Sequence, residues 1–60
     1  MTKMEIATYV GMANILIAEA QDQIKTEDAD ILDKIREALC MAQLILTNQA
    51  IDEYKGDHNG

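Results

Sequence analysis

The chain contains no proline, tryptophan or phenylalanine, one cysteine, one histidine and two aromatic residues, Tyr9 and Tyr54. A single cysteine forbids a disulfide framework, and one cysteine with one histidine cannot furnish a tetrahedral zinc site. No run approaches the roughly 20 apolar residues that a membrane-spanning helix needs. With no proline, and with Gly11 the only glycine before Gly56, residues 1–55 hold no obligatory helix breaker. Without large aromatics, the core has to be aliphatic.

What remains is a 60-residue chain, 48% hydrophobic and 27% charged, which is too apolar for intrinsic disorder. A compact chain of this mass buries about 60% of its unfolded surface, so the core is thin. Eleven acids against five bases give a net charge of −6. Residues 26–60 hold eight of the acids and three of the bases. Polyanions are therefore repelled at long range. The lone thiol and the lack of a signal-peptide pattern or lipidation motif lead us to expect a cytoplasmic protein.

The pattern predicts an all-α fold, an antiparallel two-helix hairpin that assembles as a dimeric four-helix bundle. Thr2 and Glu5 match a capping box ahead of an apolar-periodic run, so helix 1 is expected over about 3–25. Lys25 suits a helix C-terminus, while Thr26 or Asp28 can cap the next helix, expected over about 27–55. Gly56 supplies the stop, and 56–60 reads as a flexible tail. Ile6, Val10, Ala13, Ile17, Ala20 and Ile24 recur at alternating spacings of four and three, and Leu32, Ile35, Leu39, Ala42 and Leu46 repeat the device. Folding the seams together at the joint sets Ile6 against Leu46, Val10 against Ala42, Ala13 against Leu39, Ile17 against Ile35 and Ala20 against Leu32. Large side chains then mostly meet small ones.

Two helices cannot bury everything else that is apolar. Charge-free stretches at 6–18 and 38–51 leave Tyr9, Met12, Leu16, Met41 and Ile45 on flanks, the expected self-association surface. Ile15, Leu44 and Ile51 lie near the helix backs and form a candidate partner-binding patch. A homodimer is the simplest remedy, with a partner protein covering the same flanks as the alternative.

Side chains with reactive chemistry are few. His58 sits with Asp57 in the glycine-flanked tail, where no catalytic geometry is held. Cys40 is expected to be a half-buried space filler. Glu27, Asp28, Asp30 and Asp33 resemble a divalent-cation loop, yet lack its glycine and terminal glutamate. Capping and the pairs Asp30–Lys34 and Asp33–Arg36 account for them. No glycine-rich phosphate cradle or basic groove is present. We therefore expect no catalytic, cofactor or metal residues, no small-molecule substrate, and no enzyme.

Met1-Thr2-Lys3, Met12-Ala13, Asp28-Ala29-Asp30 and the chain length together resemble the Rop family of plasmid copy-number proteins. That resemblance implies an antiparallel dimer of helical hairpins that binds paired RNA loops. Lys3 and Lys25 occupy comparable basic positions, but Val10, Asn14 and Ala18 stand where the family uses amide and aromatic contacts. The leading expectation is a regulator, adaptor or inhibitor that acts by protein–protein interaction. The alternatives are an RNA-binding hairpin dimer of that kind and an acidic nucleic-acid mimic that blocks a basic protein site.

Overall fold

In a computed structural model, described for residues 1–58, the chain forms two helices, α1 (Lys3–Asp22) and α2 (Asp28–His58), packed against each other. The start of α1 follows from local chemistry. The Thr2 hydroxyl accepts from the Glu5 backbone N–H at 3.1 Å, and the Glu5 carboxylate accepts from the Thr2 N–H at 3.1 Å, which completes the capping box.

Of the two helix ends near the turn, that of α1 departs from expectation. α1 stops at Asp22, three residues early, because the Gln23 N–H tightens onto the carbonyls of Ala20 and Gln21 and the Ile24 N–H onto that of Gln21. Lys25 therefore lies in the connection. α2 starts at Asp28, whose N–H donates to the Thr26 hydroxyl at 3.3 Å, with Asp28 and Asp30 in the first turn at the positive end of the helix dipole. The Gly56 stop fails as well, since no glycine among the described residues has a positive φ and α2 continues through Gly56 to His58. Of the expected tail, Asn59 and Gly60 lie outside the described residues.

The hairpin is long and thin, 53 × 15 × 13 Å, with a radius of gyration of 14.8 Å. A compact 60-residue chain would have about 10 Å. Ala7 is the only fully buried side chain among the described residues, 2% exposed. Its half-buried companions include Lys3, Val10, Asn14, Ile17 and Gln21 on α1 and Ile24 just beyond it, opposite Ala29, Leu32, Arg36, Leu39, Gln43, Leu46 and Ala50 on α2. Each set keeps the alternating three-and-four spacing of packed antiparallel helices.

This corrects the expected seam. Val10, Ala13, Ile17 and Ile24 are half-buried with Leu32, Leu39, Ala42 and Leu46, as expected, but Ile6, Ala20 and Ile35 are exposed. Their places are taken by Ala7, Asn14, Gln21, Arg36 and Gln43. The physical reason is a set of hydrogen bonds between the helices. Arg36 Nε donates to Asn14 Oδ1 at 2.9 Å, Arg36 Nη1 donates to Gln21 Oε1 at 2.9 Å, and the Gln21 amide donates to the Ala29 carbonyl at 3.0 Å and to the Asp33 carboxylate. The small side chain of Ala7 lets the helices come together one position away from Ile6.

Candidate interaction surface

The inward polar residues divide the outer surface into two faces. Beside Arg36 and Gln43 lies a groove that Gly11, Ile15, Ala18, Glu19 and Asp22 line from α1; it continues past Asp33, Glu37 and Cys40 on α2. Toward the open end, Met4, Ile51 and Tyr54 line a further hollow on this side. Ile6, Tyr9, Val10, Ala13 and Leu39 form an apolar hollow on the other side. At 100° per residue the same opposite side carries Leu16 and Ala20 on α1 and Ile31, Ile35, Ala38, Ala42 and Ile45 on α2. No member of that set is charged; Lys34, which falls between Ile45 and Met41 at the same helical spacing, borders it.

Of the expected self-association residues, Tyr9, Leu16 and Ile45 fall on this apolar face and are all more than half exposed. Met41, one helical step from Ile45, marks its outer edge. Met12, one helical step from Leu16, stands at the border between this face and the groove that it lines beside Gly11 and Ile15. The expected partner patch of Ile15, Leu44 and Ile51 belongs to the groove side: Ile15 and Ile51 line its hollows, and Leu44 shares a helical line with Glu37 and Ile51. The sequence reading placed Ile6 and Ile35 in the seam, whereas both are exposed. It also missed the inward polar layer, although Asn14 and Gln21, and likewise Arg36 and Gln43, are seven residues apart and so share one helix line.

The extent of uncovered surface is unusual. The chain exposes 4731 Å², about 800 Å² more than the ~3,900 Å² of a compact protein of its mass. That excess equals what one partner contributes to an ordinary stable interface, about 800 Å².

Charged and reactive groups also depart from expectation. The pairs Asp30–Lys34 and Asp33–Arg36 do not form, and the one ion pair among the described residues is Lys3 Nζ to Glu53 Oε1, at 2.6 Å. Exposed pairs along a helix are worth about 0.3–0.5 kcal/mol, less than the hydrogen bonds that Arg36 makes across the seam. Cys40, expected half buried, is exposed. It sits at the flank of the groove because the seam is rotated. Glu5 has its carboxyl held below the ordinary value by the hydrogen bond from the Thr2 backbone and next by the Thr2 hydroxyl. Among the described residues no group of His, Cys, Asp and Glu is arranged to hold a metal ion, and no helix is long and apolar enough to cross a membrane.

Compared with protein-family models, with curated proteins and with solved structures, the chain shows no significant match to any. The resemblance to the Rop family therefore stands on the residues quoted for it alone.

Proposed function

We propose that this chain is a small non-enzymatic interaction module, a helical hairpin that pairs with a second copy through its apolar face and acts as a regulator, adaptor or inhibitor of another protein. The uncovered apolar face carries this reading. It exposes Ile6, Tyr9, Leu16, Ile31, Ile35 and Ile45, with Lys34 as the charge at its border, and the excess surface matches one side of a standard interface.

Charge favours a two-fold arrangement with the turns at opposite ends. Asp22, Glu27, Asp28, Asp30 and Asp33, with Glu19 and Glu37 behind them, outnumber Lys25, Lys34 and Arg36 at the turn end, whereas Lys3 and Lys55 nearly offset Glu5, Asp52 and Glu53 at the open end. Turning one copy over separates the two acidic ends by most of the molecule's 53 Å length, well beyond the Debye length of about 8 Å. A cytoplasmic setting suits the exposed thiol of Cys40.

Sedimentation equilibrium combined with thermal melting at several concentrations tests the reading. A dimer of about 120 residues melts with an enthalpy of about 84 kcal/mol, so each tenfold dilution should lower Tm by about 6 °C. Ile35→Asp and Ile45→Asp should both dissociate it. A cooperative melt that ignores concentration, with a monomeric mass at 100 μM, refutes the reading (~100 μM being well above the Kd of a standard interface).

A further inference from the structure

We infer that the groove side is a docking surface for a cationic amphipathic helix of another protein. The inference rests on the proposed self-association, which covers the apolar face and leaves this side outward. Its apolar strip is substantial, with Ile15, Leu44 and Ile51 at 63%, 54% and 41% exposed.

The chemistry along the strip is graded. Near the turn, Glu19, Asp22, Asp33 and Glu37 line the groove. The one ion pair among the described residues, Lys3–Glu53, lies at the far end. Arg36 is the only base in that stretch, and its Nε and Nη1 are already committed to Asn14 and Gln21. Four carboxylates against the one guanidinium of Arg36 leave the groove with an excess of negative charge at the turn end and apolar side chains toward the middle and the open end. Its natural complement is a helix that opens with Lys or Arg and continues with an apolar stripe. The positive end of that helix's own dipole then also faces the acids.

Shape agrees with charge. Gly11 and Ala18 form a low floor on α1, where a second backbone can approach. The Gln43 side chain rests on Gly11 and borders the groove, where its amide can reach a docked chain. The stretch from Met4 to Asp22 spans about 27 Å, the length of an 18-residue helix, roughly five turns. An RNA strand would meet four carboxylates here, which disfavours it.

The test uses a labelled synthetic helix of about 18 residues, with lysines in its first two turns and a leucine stripe beyond. Binding to the intact protein is read by fluorescence anisotropy, with sedimentation run in parallel. Saturable binding of one peptide per chain is expected, with none for a peptide whose lysines are glutamates. Asp33→Lys with Glu37→Lys should weaken binding about tenfold or more, and Ile15→Asp with Leu44→Asp should abolish it. Neither pair should change the oligomeric mass.

If the peptide fails to bind a protein that still sediments as a dimer, this inference falls while the self-association stands. Undiminished binding to the Ile15→Asp, Leu44→Asp variant would mean attraction by charge alone and would also overturn it. A structured RNA that binds and is lost with the groove variants would replace it with a nucleic-acid surface. A monomeric wild type that binds the peptide would sink the self-association and leave the groove.

Discussion

Replacing Arg36 with alanine probes what holds the two helices in their observed rotation. The guanidinium donates to Asn14 Oδ1 and Gln21 Oε1, both at 2.9 Å, in a half-buried seam. Its removal leaves two amide oxygens facing a gap and strips the aliphatic stem of Arg36 from the seam. At about 1 kcal/mol per lost hydrogen bond, the expected cost is about 2 kcal/mol per chain. An unfolding entropy near 2.1 cal/mol/K per residue, about 0.13 kcal/mol/K for 60 residues, converts this to a fall in Tm of about 15 °C. Circular dichroism melts at one fixed protein concentration measure it. The double variant Asn14→Leu, Arg36→Leu removes both partners of one of the two hydrogen bonds and fills the seam with apolar side chains, while Gln21 Oε1 stays without its donor, so it should recover about half of the loss. A double-mutant cycle between Asn14 and Arg36 should then return a coupling of about 1 kcal/mol or more. If Arg36→Ala melts within about 2 °C of wild type, well under 1 kcal/mol, the hydrogen bonds do not set the rotation and the account of the seam is wrong.

Two further tests concern single positions. Thr2→Ala should cost about 1 kcal/mol of stability, read from the same melts, because the capping hydroxyl is lost. The depressed Glu5 carboxyl means that its capping contribution is complete above the ordinary value of 4.5 and is lost as the pH falls through the lower folded value. Glu5→Gln keeps a capping-box partner, so it should flatten that part of the pH–stability curve, and an unchanged acid limb would refute the assignment. Gly11→Ala places a Cβ 2.6 Å from Gln43 Nε2, the far end of a flexible side chain. Gln43 can swing aside, and the gain in helix propensity of up to about 1 kcal/mol should make this variant more stable than wild type. Lower stability would show that Gln43 is pinned.

The capping box and the acidic start of α2 were legible in the sequence because each depends on neighbours within one helical turn, and the two-helix packing was legible because each helix repeats an apolar line on either side of one joint. Thr2 and Glu5 need only each other, and the 20 and 31 residues of the two helices hold no breaker that acts as one. The exact ends were less legible. Lys25 carried the right charge for a helix end, but the early stop at Asp22 comes from the Gln23 and Ile24 N–H groups turning back, which charge does not encode. Gly56 was read as a stop because glycine permits a left-handed cap, yet permission is not requirement, and the chain stays helical there.

The seam was misread for a more instructive reason. Apolar periodicity reports which side of a helix avoids water in the finished assembly, without saying whether the neighbour on that side belongs to the same chain. Ile6, Val10, Ala13 and Ile17 on α1, with Leu32, Ile35, Leu39 and Ala42 on α2, make one unbroken stripe, yet within the hairpin only its inner edge is covered. The outer edge, with Ile6 and Ile35, would be surplus in a lone hairpin. In the proposed dimer the same stripe points at the axis of a four-helix bundle, and the polar line of Asn14, Gln21, Arg36 and Gln43 falls on the wetter side of each intrachain contact. A polar layer in that place costs stability in each hairpin and keeps its apolar stripe turned toward a partner. The strict heptad of the sequence is then the seam of the assembly, and the hydrogen-bonded line beside it is the seam of the chain.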